Sequence, residues 1–420
     1  MISRQAALLA GDTPAIAEAH FLAEAEPYDE LLRPGGWINL GTAENRLLWD
    51  LLRDRWAALG GLAEEDTRYA PLHGTPLLRE RIARLLAAGC RAPVGADEVV
   101  VISGASAALD AIATALCDPG EAIVVPAPYY GAFDTDLAGR SGALLIPAPL
   151  SPADGFRLDP AVVDRVLTGA REAGTAVRAV AISSPSNPIG EVHSPEVLAE
   201  LVRVVRAHDV DLISDEVYAH SIVGGHSFTS ALDPAVNQDW TDRTHVIWGF
   251  AKDFGLPGLK TGVLCTRDRE VYAAVRALAY FAPVSTTTQA RLAGLLADPG
   301  WVADFLAEGR RRLTASYEHA AKALDSYDIP YAAADGGFSL WLDLRRWLPG
   351  AGFAAEEELW REIFHTARVS ILPGGAFRSP EPGWFRLCHT LDAPLVTEAV
   401  RRIAARLRGT GVTPESGVRT

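Results

Sequence analysis

The chain is poor in cysteine, and its four thiols, Cys90, Cys117, Cys265 and Cys388, are too scattered to suggest cross-links. The last three lie in apolar runs, so buried free thiols are expected, and with them a reducing, cytoplasmic setting. His73, His220, His226 and His389 have no second histidine or cysteine at metal-ligand spacing, so no metal centre is expected. No apolar stretch approaches a membrane span, and the patch in MISRQAALLAGD is too short for a secretory core. Basic residues are outnumbered, 39 against 53 acidic, for a net charge of −14, which argues against nucleic acid or an anionic membrane as a partner. Internal repeats and low-complexity tracts are absent. So are a spare helix-turn-helix module and a basic face, which removes a DNA-binding regulator from consideration.

What is abundant is apolar material. With 49% hydrophobic residues over 420 positions, the chain can bury a large core, and its length suits a doubly wound domain with a smaller companion. Between about residues 75 and 300, strand-like apolar runs alternate with helical patterns, which predicts an α/β fold with a mostly parallel sheet covered on both faces. From Trp301 the character changes. A long amphipathic run, FLAEGRRRLTASYEHAAKAL, precedes strand-like GGFSLWLDL and WFRLCHT and a closing helix over Leu395–Leu407. The expected division is an N-terminal arm with part of a small α+β domain over 1–65, a large domain over 66–300, and the remainder of the small domain over 301–420. Arg310 to Arg312 read as a solvated helix face, and the tail GTGVTPESGVRT as frayed.

The chemistry is carried by segments in which an apolar run ends in polar residues. WGFAKDFGLPGLKTG sets Lys252 in a Gly/Pro-rich loop directly after the mostly apolar run Val246–Phe250. A lysine at the mouth of a buried strand can be desolvated, which depresses its pKa and frees the amine to attack a carbonyl and form a Schiff base. Lys260, 8 residues on, is near enough in sequence to hold the phosphate of an aldehyde cofactor, for which pyridoxal phosphate is the candidate. Two surface lysines in a loop would read the same way. In EVVVISGASAALDAIATALC the run Val99–Ile102 gives way to Ser103-Gly104-Ala105-Ser106 and then to a helical pattern. Such a turn offers backbone N–H groups, a helix N-terminus and the Ser106 hydroxyl to an anion, although a plain helix cap fits too.

Asp215, in VDLISDEVY, ends the mostly apolar run Val210–Ile213, where an unpaired carboxylate is costly to bury. A pyridinium N–H would offset that cost and keep the ring an electron sink. Tyr218 could donate to the ring's phenolic oxygen, and a helix-capping Asp is the alternative. VRAVAISSPSNPIG is broken at Pro185 and Pro188, and the Asn187 amide between them either bonds the same oxygen or marks a turn. In PAPYYGAFD, after the run Ala122–Val125, Tyr130 could stack on the cofactor ring.

In this order, Gly104-Ala105-Ser106, Tyr130, Asn187, Asp215, Tyr218, Lys252 and Lys260 resemble the fold type I pyridoxal-phosphate enzymes of the aspartate aminotransferase superfamily over nearly the whole chain. Within it, INLGTAENRLLWDLL, HGTPLLRERI, PYYGAFDTDL, AISSPSNPIG, SDEVYAHSIVGGHSFTS, AKDFGLPGLKTG and GGFSLWLDLR are similar to aminocyclopropane-carboxylate synthases and their bacterial relatives, with Ala43-Glu44-Asn45 the most discriminating. The resemblance implies that Lys252 holds the cofactor as a Schiff base and, once released, moves the proton at the substrate Cα. It implies that Asp215 pairs with the pyridine nitrogen, Asn187 and Tyr218 hold the ring oxygen, and Tyr130 stacks on the ring. Gly104, Ala105, Ser106 and Lys260 would grip the phosphate. Arg386, in WFRLCHT, matches the clamp on the substrate α-carboxylate, and would otherwise be a surface arginine. Tyr69 matches a tyrosine sent across a homodimer interface to the neighbour's phosphate. Glu44 would lie beside the substrate, facing an ammonium or sulfonium, unless it is merely a buried hydrogen-bonded Glu. His73 either reaches the site or packs.

The chain departs from that pattern at three places. Relatives usually carry Ser three residues before the lysine and Arg eight residues after it, where this chain has Gly249 and Lys260. Losing a hydroxyl donor costs on the order of 1 kcal/mol, and Lys keeps the charge without the planar fork, so weaker cofactor binding is expected. The synthases have a tyrosine two residues before the Gly of their HG motif, where Leu72 stands here. The expected enzyme is a homodimer that removes the Cα proton of an α-amino acid. The resemblance favours S-adenosylmethionine, with loss of methylthioadenosine by γ-elimination, γ-substitution or cyclisation. Transamination with a 2-oxo acid, or β-elimination from an S-substituted cysteine, would use the same residues.

Overall fold

The computed structural model describes residues 2, 6–7, 10–11 and 15–409; positions 410–420, nearly all of the tail expected to fray, lie outside the described residues. Among them, β1 (Ile38–Asn39) pairs in parallel with β11 (Val369–Ser370). The large sheet takes β2 (Val99–Ile102), β3 (Ala122–Ala127), β4 (Leu144–Pro149), β5 (Val177–Ser183), β6 (Asp211–Asp215), β7 (Thr244–Gly249) and β8 (Gly262–Cys265) in the order β2-β8-β7-β6-β5-β3-β4. Neighbours are parallel except β8, which is antiparallel to both β2 and β7. The fold is thus the expected α/β one.

Both faces of this sheet are covered, which is why its central strands are continuous apolar runs. Val100, Ile102, Ile123, Val125, Ile213 and Ile247 pack against helices Ala105–Leu116 and Arg269–Leu278. Their alternates Val99, Val101, Trp248 and Val263 face the other way, against Leu78 and Ile82 of helix Pro76–Cys90. That two-residue alternation is the pleat itself. Parallel strands bring their carboxyl ends to one edge, the usual place for a ligand in such sheets. β8 runs backwards and therefore begins at that edge: Gly262 sits opposite both Ile102 and Gly249, while Asp215 sits opposite Ser183 and Ile247.

A second, antiparallel sheet has the order β12 (Leu372–Pro373), β13 (Trp384–Cys388), β10 (Ser339–Asp343), β9 (Tyr331–Ala332). Its core joins Leu340, Leu342, Phe385 and Leu387 to Trp37, Ile38 and Leu40 from far upstream. Helix Pro299–Asp325 connects the two cores, contributing Val302, Phe305 and Leu306 to one and Ala320 and Leu324 to the other. Pro299 opens it and the Asp298 carboxylate caps Gly300 N and Trp301 N, both at 3.1 Å. The closing helix spans Ala393–Leu407. All four cysteines are free and buried. Among the described residues no helix is long and apolar enough to cross a membrane, and no group of three or more His, Cys, Asp or Glu could hold a metal.

Candidate active site

Lys252 owes its position to the aromatic residues on either side of it. Phe250 and Phe254 are fully buried, with ring centroids 5.3 Å apart, and Trp248 and Phe305 extend the cluster at 4.9 and 5.3 Å. Each buried aromatic contributes roughly 1.5–3 kcal/mol to holding the loop. Nζ donates to the Ala43 carbonyl at 2.6 Å and lies 5.8 Å from the centroid of the Tyr218 ring. Burial, and after it the Arg386 guanidinium, depress Lys252 to about 8, so a usable fraction is free amine near neutral pH.

The lysine faces a cleft of about 390 Å³ whose lining includes Gly104, Ala105, Ser106, Tyr130, Asn187, Asp215, Tyr218, Lys260, Glu44 and Arg386. Eleven of the twelve residues singled out in the sequence therefore meet in one place. Tyr69 does not: it stands 104% exposed, outside the cleft of its own chain. His73 packs edge-on against Tyr272 at 6.4 Å, and burial followed by the charges of Arg79 and Arg276 pushes it down. Leu72 and His73 do not line the cleft.

At the inner end, Asp215 accepts one bond, from Val217 N at 3.3 Å, and burial lifts its carboxyl to about 7. A carboxyl so placed ionises fully only when a cation faces it, which is what a protonated pyridine nitrogen would supply. Burial pushes the Tyr218 hydroxyl far upward, so it remains a donor, and the ring stands edge-on to Phe338 at 5.0 Å. Asn187 Oδ1 accepts from Arg386 Nη1 at 3.2 Å, leaving its NH2 as the donor toward the cleft. Tyr130 is braced edge-on against Phe133 at 5.5 Å.

Arg386, central on β13, is 5% exposed. Besides Asn187 it donates to the Gly41 carbonyl, and its guanidinium lies 4.9 Å over Phe377. Its buried Nε has no partner. A buried cation with an unused donor is costly unless an anion completes it, and a carboxylate matches the guanidinium fork.

The opposite end of the cleft offers groups that could hold a phosphate. Gly104, at φ 92°, precedes helix Ala105–Leu116 and gives it no side-chain cap. A Cβ on Gly104 would lie 3.4 Å from Lys260 Cε and 3.5 Å from Nζ, so the ammonium sits beside the uncapped helix N-terminus. The helix N-terminus and the ammonium are two positive poles that suit the cofactor's phosphate. Gly249 has a local reason as well: a Cβ there would come 2.9 Å from the Thr261 carbonyl. The serine of relatives would therefore push on the strand that follows Lys260.

Sequence reading missed Asp136, the second acid of GAFDTDL, which lines the cleft with Ser106 and Lys260. Burial lifts it to about 6, with Ser106 and Lys260 pulling the other way, and its Oδ2 has no partner. A further signal lay in composition. The chain has only three lysines, Lys252, Lys260 and Lys322, and two of them line one cleft.

A buried lysine of depressed pKa, a buried carboxyl and an uncapped helix N-terminus beside a second lysine, all on the carboxyl edge of a mostly parallel sheet, suit a fold type I pyridoxal-phosphate enzyme. A family profile described as aminotransferase class I and II matches residues 36–403, and the chain belongs to that family. It is 35% identical over 350 residues to 1-aminocyclopropane-1-carboxylate synthase-like protein 1 of Bos taurus, covering 80% of this chain and 69% of that protein. Against 1-aminocyclopropane-1-carboxylate synthase 2 of Oryza sativa subsp. japonica it is 35% identical over 365 residues, with 83% and 75% covered. The aspartate aminotransferase from Thermus thermophilus with maleate superposes with a TM-score of 0.81 at 25% identity, over 97% of this chain and 99% of that one. The protein is thus a pyridoxal-phosphate-dependent lyase or transferase acting at the Cα of an amino acid.

Proposed function

We propose that the enzyme acts on S-adenosylmethionine, expelling methylthioadenosine from the side chain by γ-elimination, γ-substitution or ring closure. The observation that carries this reading is the bond from Lys252 Nζ to the Ala43 carbonyl, because it sets Glu44 in the wall of the cleft next to the reactive amine. Arg46 holds the Glu44 carboxylate at 3.2 Å, and its charge acts on Lys252. A carboxylate here favours a substrate that brings a cation, as a sulfonium does.

When bound, pyridoxal phosphate supplies the electron sink that makes a Cα–H bond acidic. The chain's own groups do the rest. Arg386 clamps the substrate carboxylate and so fixes which Cα bond points at Lys252. Lys252, with its pKa near 8, takes up the Cα proton and can return it. We assign Asp215 to the pyridine nitrogen, Asn187 and Tyr218 to the ring oxygen and Tyr130 to the ring face. Gly104, Ala105, Ser106 and Lys260 are assigned to the phosphate. Tyr69, wholly exposed, would serve the partner's cleft in a homodimer. The buried free thiols support a cytoplasmic setting. The division at 1–65, 66–300 and 301–420 remains our proposal for the domain limits.

Incubation with S-adenosylmethionine followed by chromatography should show methylthioadenosine; none released would remove this reading. Transamination is the second reading, favoured by Leu72 in place of the synthases' tyrosine. An amino acid alone would then convert the cofactor to its amine form, and a 2-oxo acid would reverse it. Under either reading Lys252→Ala should abolish the visible absorbance that borohydride eliminates in the wild type.

A further inference from the structure

A second cavity, of about 480 Å³, lies between helix Pro76–Cys90, the first turns of helix Pro299–Asp325 and the segment 219–228. It shares no lining residue with the Lys252 cleft. Arg81 and Arg84 reach it from one helix and Arg310 from the other, with His220 and His226 from the segment between. No Asp or Glu lines it, in a chain of net charge −14. The floor is apolar, made by Leu85, Phe228, Val302 and Leu306.

The arginines here are treated differently from their neighbours. Arg311 and Arg312 pair with Glu308, and Arg312 also with Asp50, as a solvated helix face should. The side chains of Arg84 and Arg310 make no hydrogen bond or ion pair among the described residues, and Arg81 spends one nitrogen on the Ala293 carbonyl. Asp335, which meets His226 at 3.3 Å, is shared with Arg157 at 3.5 Å. Burial pushes His220 down against the pull of Asp253, and the Arg310 charge adds a smaller push in the same direction as burial. Arg81, Arg84 and Arg310 bring three positive charges to a lining that holds no carboxylate, and an anion between them would relieve their repulsion.

We propose that this cavity binds a second small molecule, an organic anion with a carboxylate or phosphate head and an apolar body. The head would meet the forked donors of Arg81, Arg84 and Arg310, which suit the oxygens of either group. The body would cover the apolar floor, and the volume lies within the range of small-molecule sites. The cavity is linked to the catalytic cleft along the chain. Ala219 and His220 directly follow Tyr218, and the Ser221 hydroxyl donates at 2.7 Å to Asp253, the residue after Lys252. An occupant touching His220 therefore rests on the segment that carries Tyr218.

The test is calorimetric titration of the holoenzyme, whose phosphate cup is already filled, with phenyl phosphate and, in parallel, phenylacetate. Inorganic phosphate and phenol serve as head-only and body-only probes. Saturable binding of one molecule per chain, at least ten-fold tighter than either part alone, is expected for one of the two anions, and that anion identifies the head group. The double variant Arg84→Gln/Arg310→Gln should bind it at least ten-fold more weakly while keeping the Lys252-linked absorbance. Arg386→Leu should bind it as the wild type does. No saturable binding, equal binding by the double variant, or loss in Arg386→Leu would each overturn the proposal.

Discussion

Replacing Arg386 by leucine removes the guanidinium that lines the Lys252 cleft and that we propose clamps the substrate carboxylate. It is 5% exposed, donates to Asn187 and Gly41, and holds its Nε unpartnered. Truncating one member of a buried charge pair costs about 2–5 kcal/mol, so kcat/KM for any amino acid should fall roughly 30- to 5000-fold at 1.36 kcal/mol per decade. Each of the two lost internal bonds adds about 1 kcal/mol of destabilisation, for which Arg386→Lys is the control, since it keeps the charge without the fork. A second readout comes from Lys252. Burial and then Arg386 hold it at about 8, so removing the like charge raises its pKa, although burial remains. Capture of pyridoxal phosphate by cofactor-free protein needs the free amine, so its rate should inflect near pH 8 in the wild type and at higher pH in Arg386→Leu. A loss in kcat/KM below three-fold, together with an unmoved inflection, would refute the placement of Arg386 between substrate and lysine.

Three further outcomes are expected. Burial lifts Asp215 from 3.8 to about 7 in the folded chain, so without cofactor its ionisation penalty grows as pH rises across that window and persists above it. Asp215→Asn should therefore melt above wild type at pH 8 and level with it near pH 4 in differential scanning fluorimetry of the cofactor-free proteins; a gap that shrinks with rising pH would contradict this. Gly249→Ser should weaken cofactor binding several-fold in absorbance titrations, because the new Cβ meets the Thr261 carbonyl at 2.9 Å; tighter binding would show that the strand yields and the hydroxyl is used. Tyr69→Phe and Lys252→Ala proteins, each impaired alone, should regain activity on mixing if Tyr69 serves the neighbour's cleft, and mixtures no better than their components would place it elsewhere.

Strand ends were legible because a run buried on both faces must stop where polar work begins. Val99–Ile102 is β2 to the residue, and Asp215 ends β6. The direction of β8 was not legible: Gly262–Cys265 is four residues long, and its sense depends on which strands flank it. Asp136 escaped notice because the neighbouring tyrosines offered a simpler reason for the same segment. Arg310 was rightly placed outside the core by helical periodicity, but periodicity within one helix cannot reveal that helix Pro76–Cys90 stands across from it. Nor can it show that the Gly41 carbonyl, hundreds of residues away, holds Arg386.

Helix Pro299–Asp325 is rooted at one end beside Leu48, Leu52 and Phe254 and at the other beside Leu340 and Phe385. Cutting out the middle of the chain as a free-standing piece would strip Leu48, Leu52, Phe305 and Leu306 from its hydrophobic filling. The two lobes are thus obligate companions, since one continuous rod is part of the filling of both.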